Sequence, residues 1–441
     1  MWIDVDHSNE YRDLQGKYKN FESPKERGPA ELFDSFDNDE FYQPRGLDSF
    51  PPYCGNHAKD LQILTSTSWY TIDFSIFLHN AFLDNRTGEN IVRIIAVIHS
   101  TAPKPRIWCH FRNGSKGGAS YVTSPIDFYE MNENHKFLYG GWIVSCRVPR
   151  SLARSPCDVF VSKYETHDYR SVQLPLRSIE PRKLQKMRIN VCVSPIFGNV
   201  SYARLVEFIE LSRLMGADHF TFYSYDVPKK LTEVLQYYTR LDIVTVLPWT
   251  LPIPPGLIWY NGQVVSINDC LYRSMPFFSH VAFIDLDEMI VPQNSIFSWK
   301  EILTASNDDR FAGYSFVSAP FPAQSDLHGL PGRSYLLTLL TTNRSTTLDG
   351  IRSKVIVLPY RVFEMGIHHV SRPWPDEQNY AVVQVNPKTA ILNHYISGQC
   401  RLYACSQFVI DQTIPRKYSK ALKKSFYQVL HNISPNFMNS T

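Results

Sequence analysis

The sequence carries almost no excess of either charge: Lys and Arg number 45 against 42 Asp and Glu, a net of +3. That balance supplies no global field to draw the chain onto nucleic acid, so a phosphate-tracking role is not expected. No stretch reaches the roughly 18 consecutive apolar residues that a bilayer crossing needs, and Met1 is not followed by a basic and then apolar targeting region. The cysteines show no CxxC spacing, which argues against a structural zinc site. Internal repeats and low-complexity tracts are absent too, so nothing points to a repeat array.

What is present fits a globular chain with a secretory history. At 441 residues and 44% hydrophobic, two or three domains with a sizeable core are expected. The eight cysteines, Cys54, Cys109, Cys146, Cys157, Cys192, Cys270, Cys400 and Cys405, are even in number and suit disulfides in an oxidising compartment. Asn-X-Ser/Thr sequons occur at Asn85, Asn113, Asn199, Asn343, Asn432 and Asn439 and agree with a lumenal location.

Three regions follow from the change of pattern along the chain. Residues 1–55 are acid-rich ("DSFDNDEF"), without a sustained apolar period, and read as a flexible stem. From 56 to 182 the period is two: "YTIDFSIFL" alternates from Tyr70 to Leu78, and "IVRIIAVI", "RIWCHFR", "GGWIVSCRV" and "CDVFVSKY" follow, separated by Gly, Pro and Asn. Short strands at this spacing imply an all-β sandwich. On "RIWCHFR" the alternation puts Ile107, Cys109 and Phe111 inward and Trp108, His110 and Arg112 outward, where the indole suits a pyranose face. After Pro181 the period changes: "RINVCVSPI", "HFTFYSY", "DIVTVLPW" and "HVAFIDLDE" read as strands and alternate with helical segments. Continuously apolar strands between helices imply an α/β domain over 183–441 with a mostly parallel sheet covered on both faces.

The end of "HVAFIDLDE" carries Asp285, Asp287 and Glu288. Ligands of parallel sheets bind beyond the carboxyl ends of the strands. On an extended chain the i, i+2 spacing turns Asp285 and Asp287 to one side and Leu286 into the sheet. Two hard oxygen donors there make half a site for Mg²⁺ or Mn²⁺, leaving room for water or phosphate oxygens. The rival reading is a solvated acidic strand end. A calcium loop is excluded because no Gly stands at the sixth position, and a DxDxT phosphatase would want a hydroxyl where Met289 stands.

The ordered set "RLVEFIELSRLMGADHFTFY", "GQVVSINDCLYR", "FIDLDEMIVP", "KVIVLP" and "LNHY" resembles glycosyltransferase family 92 over about 185–400. The resemblance implies a GT-A fold, a UDP-galactose donor, a divalent cation (Mn²⁺ or Mg²⁺), and inverting transfer of galactose onto a glycan or glycoprotein acceptor. It also implies a carbohydrate-binding role for the β domain, and residence in the Golgi behind an N-terminal anchor that this chain lacks.

Carried onto this sequence, Asp285 and Asp287 become the metal-holding DxD. Glu288 either orients them or caps the next turn, and His394 is the candidate imidazole ligand, with His368 and His369 as rivals. Lys354 offsets diphosphate charge or guards a strand edge. Pro195, Ile196, Tyr223 and Asp226 lie at strand ends suited to the nucleotide, and Gln263, Asn268, Asp269 and Arg273 recur on the helix before the metal strand. The base that inversion needs is sought among Glu364, Asp376 and Glu377; "WPDE" at 374 resembles the Trp-plus-acid acceptor loops of inverting enzymes. A lectin-like protein without activity and a metal phosphohydrolase are the alternatives.

Overall fold

The computed structural model describes residues 69–433 apart from 101–105, 113–119, 153–155, 167–170, 184–185, 199, 255, 307, 324–335 and 398–406; the expected stem lies outside the described residues. The alternating run at 70–78 is two strands, not one: β1 (Tyr70–Asp73) and β2 (Ile76–Asp84) form a hairpin. The Asp73 carboxylate accepts from Ser75 N (2.8 Å) and Ser75 Oγ (2.7 Å), closing the turn and leaving Phe74 82% exposed.

β3 (Ile91–His99), β4 (Trp108–Arg112), β5 (Ser120–Thr123), β6 (Asp127–Glu130), β7 (Tyr139–Arg147), β8 (Asp158–Ser162) and β9 (Val172–Ser178) complete the all-β unit. They form one sheet of order β5-β4-β8-β9-β2-β3-β7-β6, with β1 beside β2. Although β8, β9, β2 and β3 lie between β4 and β7, Cys109 on β4 is disulfide-bonded to Cys146 on β7. The sheet therefore curls over on itself, and Leu78, Ile94, Phe111, Val144 and Val161 fill the space between its halves. The outward set expected on β4 is partly covered. His110 is fully buried, 3.0 Å from Ser162 Oγ, and Trp108 is half-buried, because β4 is an interior strand between β5 and β8.

The α/β unit begins with β10 (Ile189–Phe197), α1 (Tyr202–Leu214), β11 (His219–Tyr225), α2 (Lys229–Arg240), β12 (Val244–Pro248), α3 (Gln263–Ser274) and β13 (His280–Phe283). Gly216, at φ 107°, ends α1 as its left-handed stop. Then come β14 (Glu288–Pro292), α4 (Trp299–Ala305), β15 (Phe311–Ala323), α5 (Leu337–Leu340), β16 (Asn343–Ser345), β17 (Asp349–Val357), β18 (Val362–Met365), β19 (Val370–Pro373), β20 (Ala381–Gln384), β21 (Ala390–Ser397), β22 (Phe408–Ile410) and α6 (Thr413–Ile433). The main sheet has the order β12-β11-β10-β13-β17-β15-β21-β14. β12, β11, β10 and β13 are adjacent and parallel, and β15, β20 and β21 run the same way; β17 and β14 run against their neighbours, so the sheet is mixed from β13 onward.

The strand order reverses at β10, with β11 on one side and β13 on the other, which opens a ligand crevice at their carboxyl ends. One face of the sheet packs on α1, α2, α4 and α6 through Phe208, Leu235, Trp299 and Phe426. The other face is covered by α3 and by the all-β unit. Phe82, Ile95 and Ile143 share a core with Leu271, Tyr272, Phe283 and Val355, where each fully buried large side chain contributes roughly 2–3 kcal/mol. The β unit thus takes the place of part of a helical layer.

Candidate active site

β13 ends at Phe283, and the chain turns before β14, with Glu288 N donating to Asp285 O at 3.0 Å. Asp285 and Asp287 therefore sit on a turn and not on the extended chain expected, and their carboxylates reach two different cations. Asp285 Oδ2 accepts from Lys354 Nζ at 2.7 Å, whereas Asp287 Oδ2 lies 3.4 Å from His394 Nε2. Sheet register delivers both partners. Lys354 is on β17 beside β13, and Glu288 pairs with His394 across β14 and β21. Tyr395 N donates to Asp287 O at 2.8 Å and pins the turn to β21.

Glu288 is 2% exposed. Its Oε2 accepts from Asp285 N at 2.9 Å, so it caps the turn, and the same atom is 3.5 Å from Lys354 Nζ. Burial, reinforced by the charges of Asp285 and Asp287, pushes its carboxyl up to about 7 against Lys354 and His394. Burial also raises Asp285, but the Lys354 ammonium outweighs it and holds that carboxyl below its ordinary value. Burial disfavours charge on Lys354 and on His394, yet in each case the facing carboxylates win and raise the pKa. Like charge on this turn is thus offset by one buried ammonium and one imidazole.

Three further groups were not singled out as site residues from sequence. Ser194, near the end of β10, hydrogen-bonds Asp285 and accepts from Gln263 Nε2 at 2.9 Å. Tyr260 has left-handed backbone (φ 42°, ψ 52°), and Asn261 and Gly262 after it also have positive φ. Such a conformation for a bulky residue costs about 1–3 kcal/mol and is characteristic of functional sites. Its ring, 46% exposed, lies 5.7 Å from that of Phe197, and burial together with Asp285 and Asp287 raises its phenol. The "YNG" tripeptide was the available signal, since Asn-Gly marks left-handed turns. Glu133, from the β unit, accepts from Ile367 N at 2.6 Å.

The remaining expected residues divide. Pro195 and Ile196 are buried at the end of β10, next to Ser194. Asp226 is exposed in the turn after β11. His368 is held neutral, pushed down to about 3 by burial and then by Lys354, with Nδ1 3.3 Å from Ser353 O. Tyr223, Asp269 and Arg273 converge away from the carboxylate turn. Asp269 is fully buried and accepts from Tyr223 OH (2.7 Å), Arg273 Nε (2.5 Å) and Asn80 Nδ2 (2.7 Å). A donor cannot reach that carboxylate, because this face of α3 is turned to the β unit. Asn268 likewise bonds Met365 in both directions at 2.9 Å. Glu364 is buried beneath Tyr129 OH (2.7 Å) and Asn132 N (2.7 Å), which occupy its carboxylate. Asp376 is 53% exposed and paired with Arg372, and Glu377 follows it in the turn Asp376–Gln378.

Among the described residues no three His, Cys, Asp or Glu side chains converge into a closed metal cage. The Asp287–His394 pair nevertheless offers one hard oxygen and one imidazole at 3.4 Å, a donor set compatible with Mn²⁺ or Mg²⁺ whose other positions go to water or phosphate. Asp285 engages Lys354 with one oxygen.

The switch point of a Rossmann-like sheet thus carries an acidic turn, a buried lysine and a histidine. Residues 187–437 match glycosyltransferase family 92, and the chain belongs to that family. It is 25% identical over 396 residues to the Caenorhabditis elegans β-1,4-galactosyltransferase galt-1, covering 88% of this chain and 86% of that one. It is also 22% identical over 217 residues to the glycosyltransferase family 92 protein F13G3.3 of the same nematode, covering 46% of this chain and 41% of that one. Among solved structures, Mycobacterium tuberculosis glucosyl-3-phosphoglycerate synthase, in complex with Mn²⁺, UDP and glucosyl-3-phosphoglycerate, is 15% identical. The likeness covers 53% of this chain and 80% of that one at a TM-score of 0.25, at which no residue correspondence follows.

Proposed function

We propose that this glycosyltransferase moves galactose from UDP-galactose to a glycan acceptor with inversion, assisted by Mn²⁺ or Mg²⁺. The observation that carries the reading is the pairing of Asp285 with Lys354 and of Asp287 with His394 at the strand-order switch point. Similarity to galt-1 along most of both chains favours galactose. Asp287 and His394 would hold the cation, which when bound supplies positive charge against the departing diphosphate. Lys354 adds a fixed charge, and Asp285, kept ionised by it, is also hydrogen-bonded by Ser194. Ser194 and Pro195 line the nucleotide side, and Tyr260 presents an aromatic face at the mouth. The disulfides Cys109–Cys146 and Cys192–Cys270 support an oxidising compartment such as the Golgi lumen.

The test is transfer by the purified full chain from UDP-galactose to a glycan array with and without MnCl₂, and with Asp287→Asn as control. Metal-dependent galactosylation abolished in the variant is expected. Glycan binding without turnover, or phosphate release from simple esters without a nucleotide sugar, would overturn the reading.

A further inference from the structure

Between β18 and β19 the chain makes a tight turn, closed by Gly366 N donating to His369 O at 2.9 Å. This turn carries His368 and His369 and presents the Ile367 carbonyl to Lys354 Nζ at 3.3 Å. It is held from the other side by the segment joining β6 and β7 of the all-β unit. Glu133 Oε2 accepts from Ile367 N at 2.6 Å, and Glu133 Oε1 is 3.9 Å from His369 Nδ1. The Ile367 residue is thus gripped at both polar atoms, its N–H by a carboxylate of the β unit and its C=O by the lysine that holds Asp285. A second clamp lies one strand back, where Tyr129 OH and Asn132 N donate to Glu364 on β18. Gly366 keeps the approach open, since a Cβ there would lie 3.2 Å from Glu133 Oε2 and 2.7 Å from Ser371 Oγ. The same segment reaches the opposite wall of the site. His135 lies on Trp259, next to Tyr260, with ring centroids 4.1 Å apart, and Tyr139 N donates to Leu257 O at 2.9 Å.

We propose that the all-β unit is a working part of the transferase centre, with Glu133 as a positioning residue that sets the 366–369 turn and, through it, Lys354 and the two histidines. Glu133 does this while 11% exposed and with backbone at φ 58°, a conformation that a non-glycine residue rarely adopts. Ile367 sits between two charges from different parts of the chain, so losing one releases the turn without unfolding the sheet. Hydrogen bonds to a charged acceptor are the strong class, so the loss should be felt at a tenfold scale or more.

The inference rests on the glycosyltransferase reading, and two measurements separate their failures. Glu133→Ala in the full chain should lower kcat at least tenfold with donor KM within about threefold and Tm within a few degrees. Glu133→Gln, which keeps an acceptor for Ile367 N, should recover most of that loss. Amide exchange at 366–369, measured without donor, should quicken at least tenfold in Glu133→Ala and much less in Glu133→Gln. Unchanged exchange in the alanine variant, wild-type kcat in it, or a glutamine variant as slow as the alanine one overturns the positioning role. Absence of sugar transfer by the unaltered chain overturns the functional reading instead and leaves the exchange result to decide this one.

Discussion

Lys354 and Asp285 form an ion pair of 2.7 Å between β17 and the β13–β14 turn, with the lysine side chain 3% exposed. Glu288 shares that ammonium at 3.5 Å. Lys354→Met should therefore leave the enclosed Glu288 and the partly exposed Asp285 without their counter-charge and cost roughly 3 kcal/mol of stability. Added Mn²⁺ should restore more Tm to the variant than to the parent. A variant with parental Tm, measured by scanning fluorimetry without metal, would contradict the counter-charge role.

Asp287 offers the opposite separation of effects. Its side chain is 50% exposed, so Asp287→Asn should leave Tm nearly unchanged. Turnover with UDP-galactose should fall at least about 100-fold, equivalent to ~2.7 kcal/mol of barrier. His394→Gln should instead raise the Mn²⁺ concentration needed for half-maximal rate by about tenfold or more. A metal titration of both variants checks the two outcomes together.

Glu364 gives a pH signature remote from the carboxylate turn. Burial pushes its carboxyl up to about 7 from 4.5, so the folded protein holds this proton more tightly than the unfolded chain does. Stability is consequently lost as pH rises between about 4.5 and 7, and the deficit, on the order of 3 kcal/mol, is complete above that window. Glu364→Gln removes the titration but also weakens bonds to Tyr129 and Asn132. The difference in Tm, variant minus parent, should thus move upward from pH 5 to pH 8. A flat difference across that range would refute the assignment.

The disulfide Cys192–Cys270 ties β10 to α3 across 78 residues. Paired Cys192→Ser and Cys270→Ser changes should cost about 4 kcal/mol through the freed loop of the unfolded chain. Thermal melts with and without reductant should show that loss in the parent and no further effect of reductant through this pair in the variant.

The strands and helices from β10 to β13 were legible because each is a compact apolar run or a helical period with a clear stop, such as Gly216. The hairpin at Phe74 was not, since alternation continues unbroken through its turn and only the Asp73–Ser75 bonding breaks it. The acidic turn, Lys354 and His394 could be named from local motifs, although their pairing depends on β17 and β21, distant in sequence. Asp269 and Arg273 misled for a related reason. Polar spacing on α3 marks a face but does not say whether solvent or another layer meets it, and here Asn80 and Tyr223 do. Glu133 was invisible because its partner is a backbone amide 234 residues away.

The shared core beneath α3 also governs how the molecule comes apart. Phe82 packs on Tyr272 at 5.3 Å between ring centroids, and Arg86 of the β unit donates to Val362 O at 2.7 Å. Cutting the chain between β9 and β10 would expose this seam on both pieces, and neither fragment would be soluble alone. Heating should give one calorimetric transition whose van't Hoff and measured enthalpies agree. Proteolytic shedding within that connection would then silence the enzyme instead of liberating an active catalytic half.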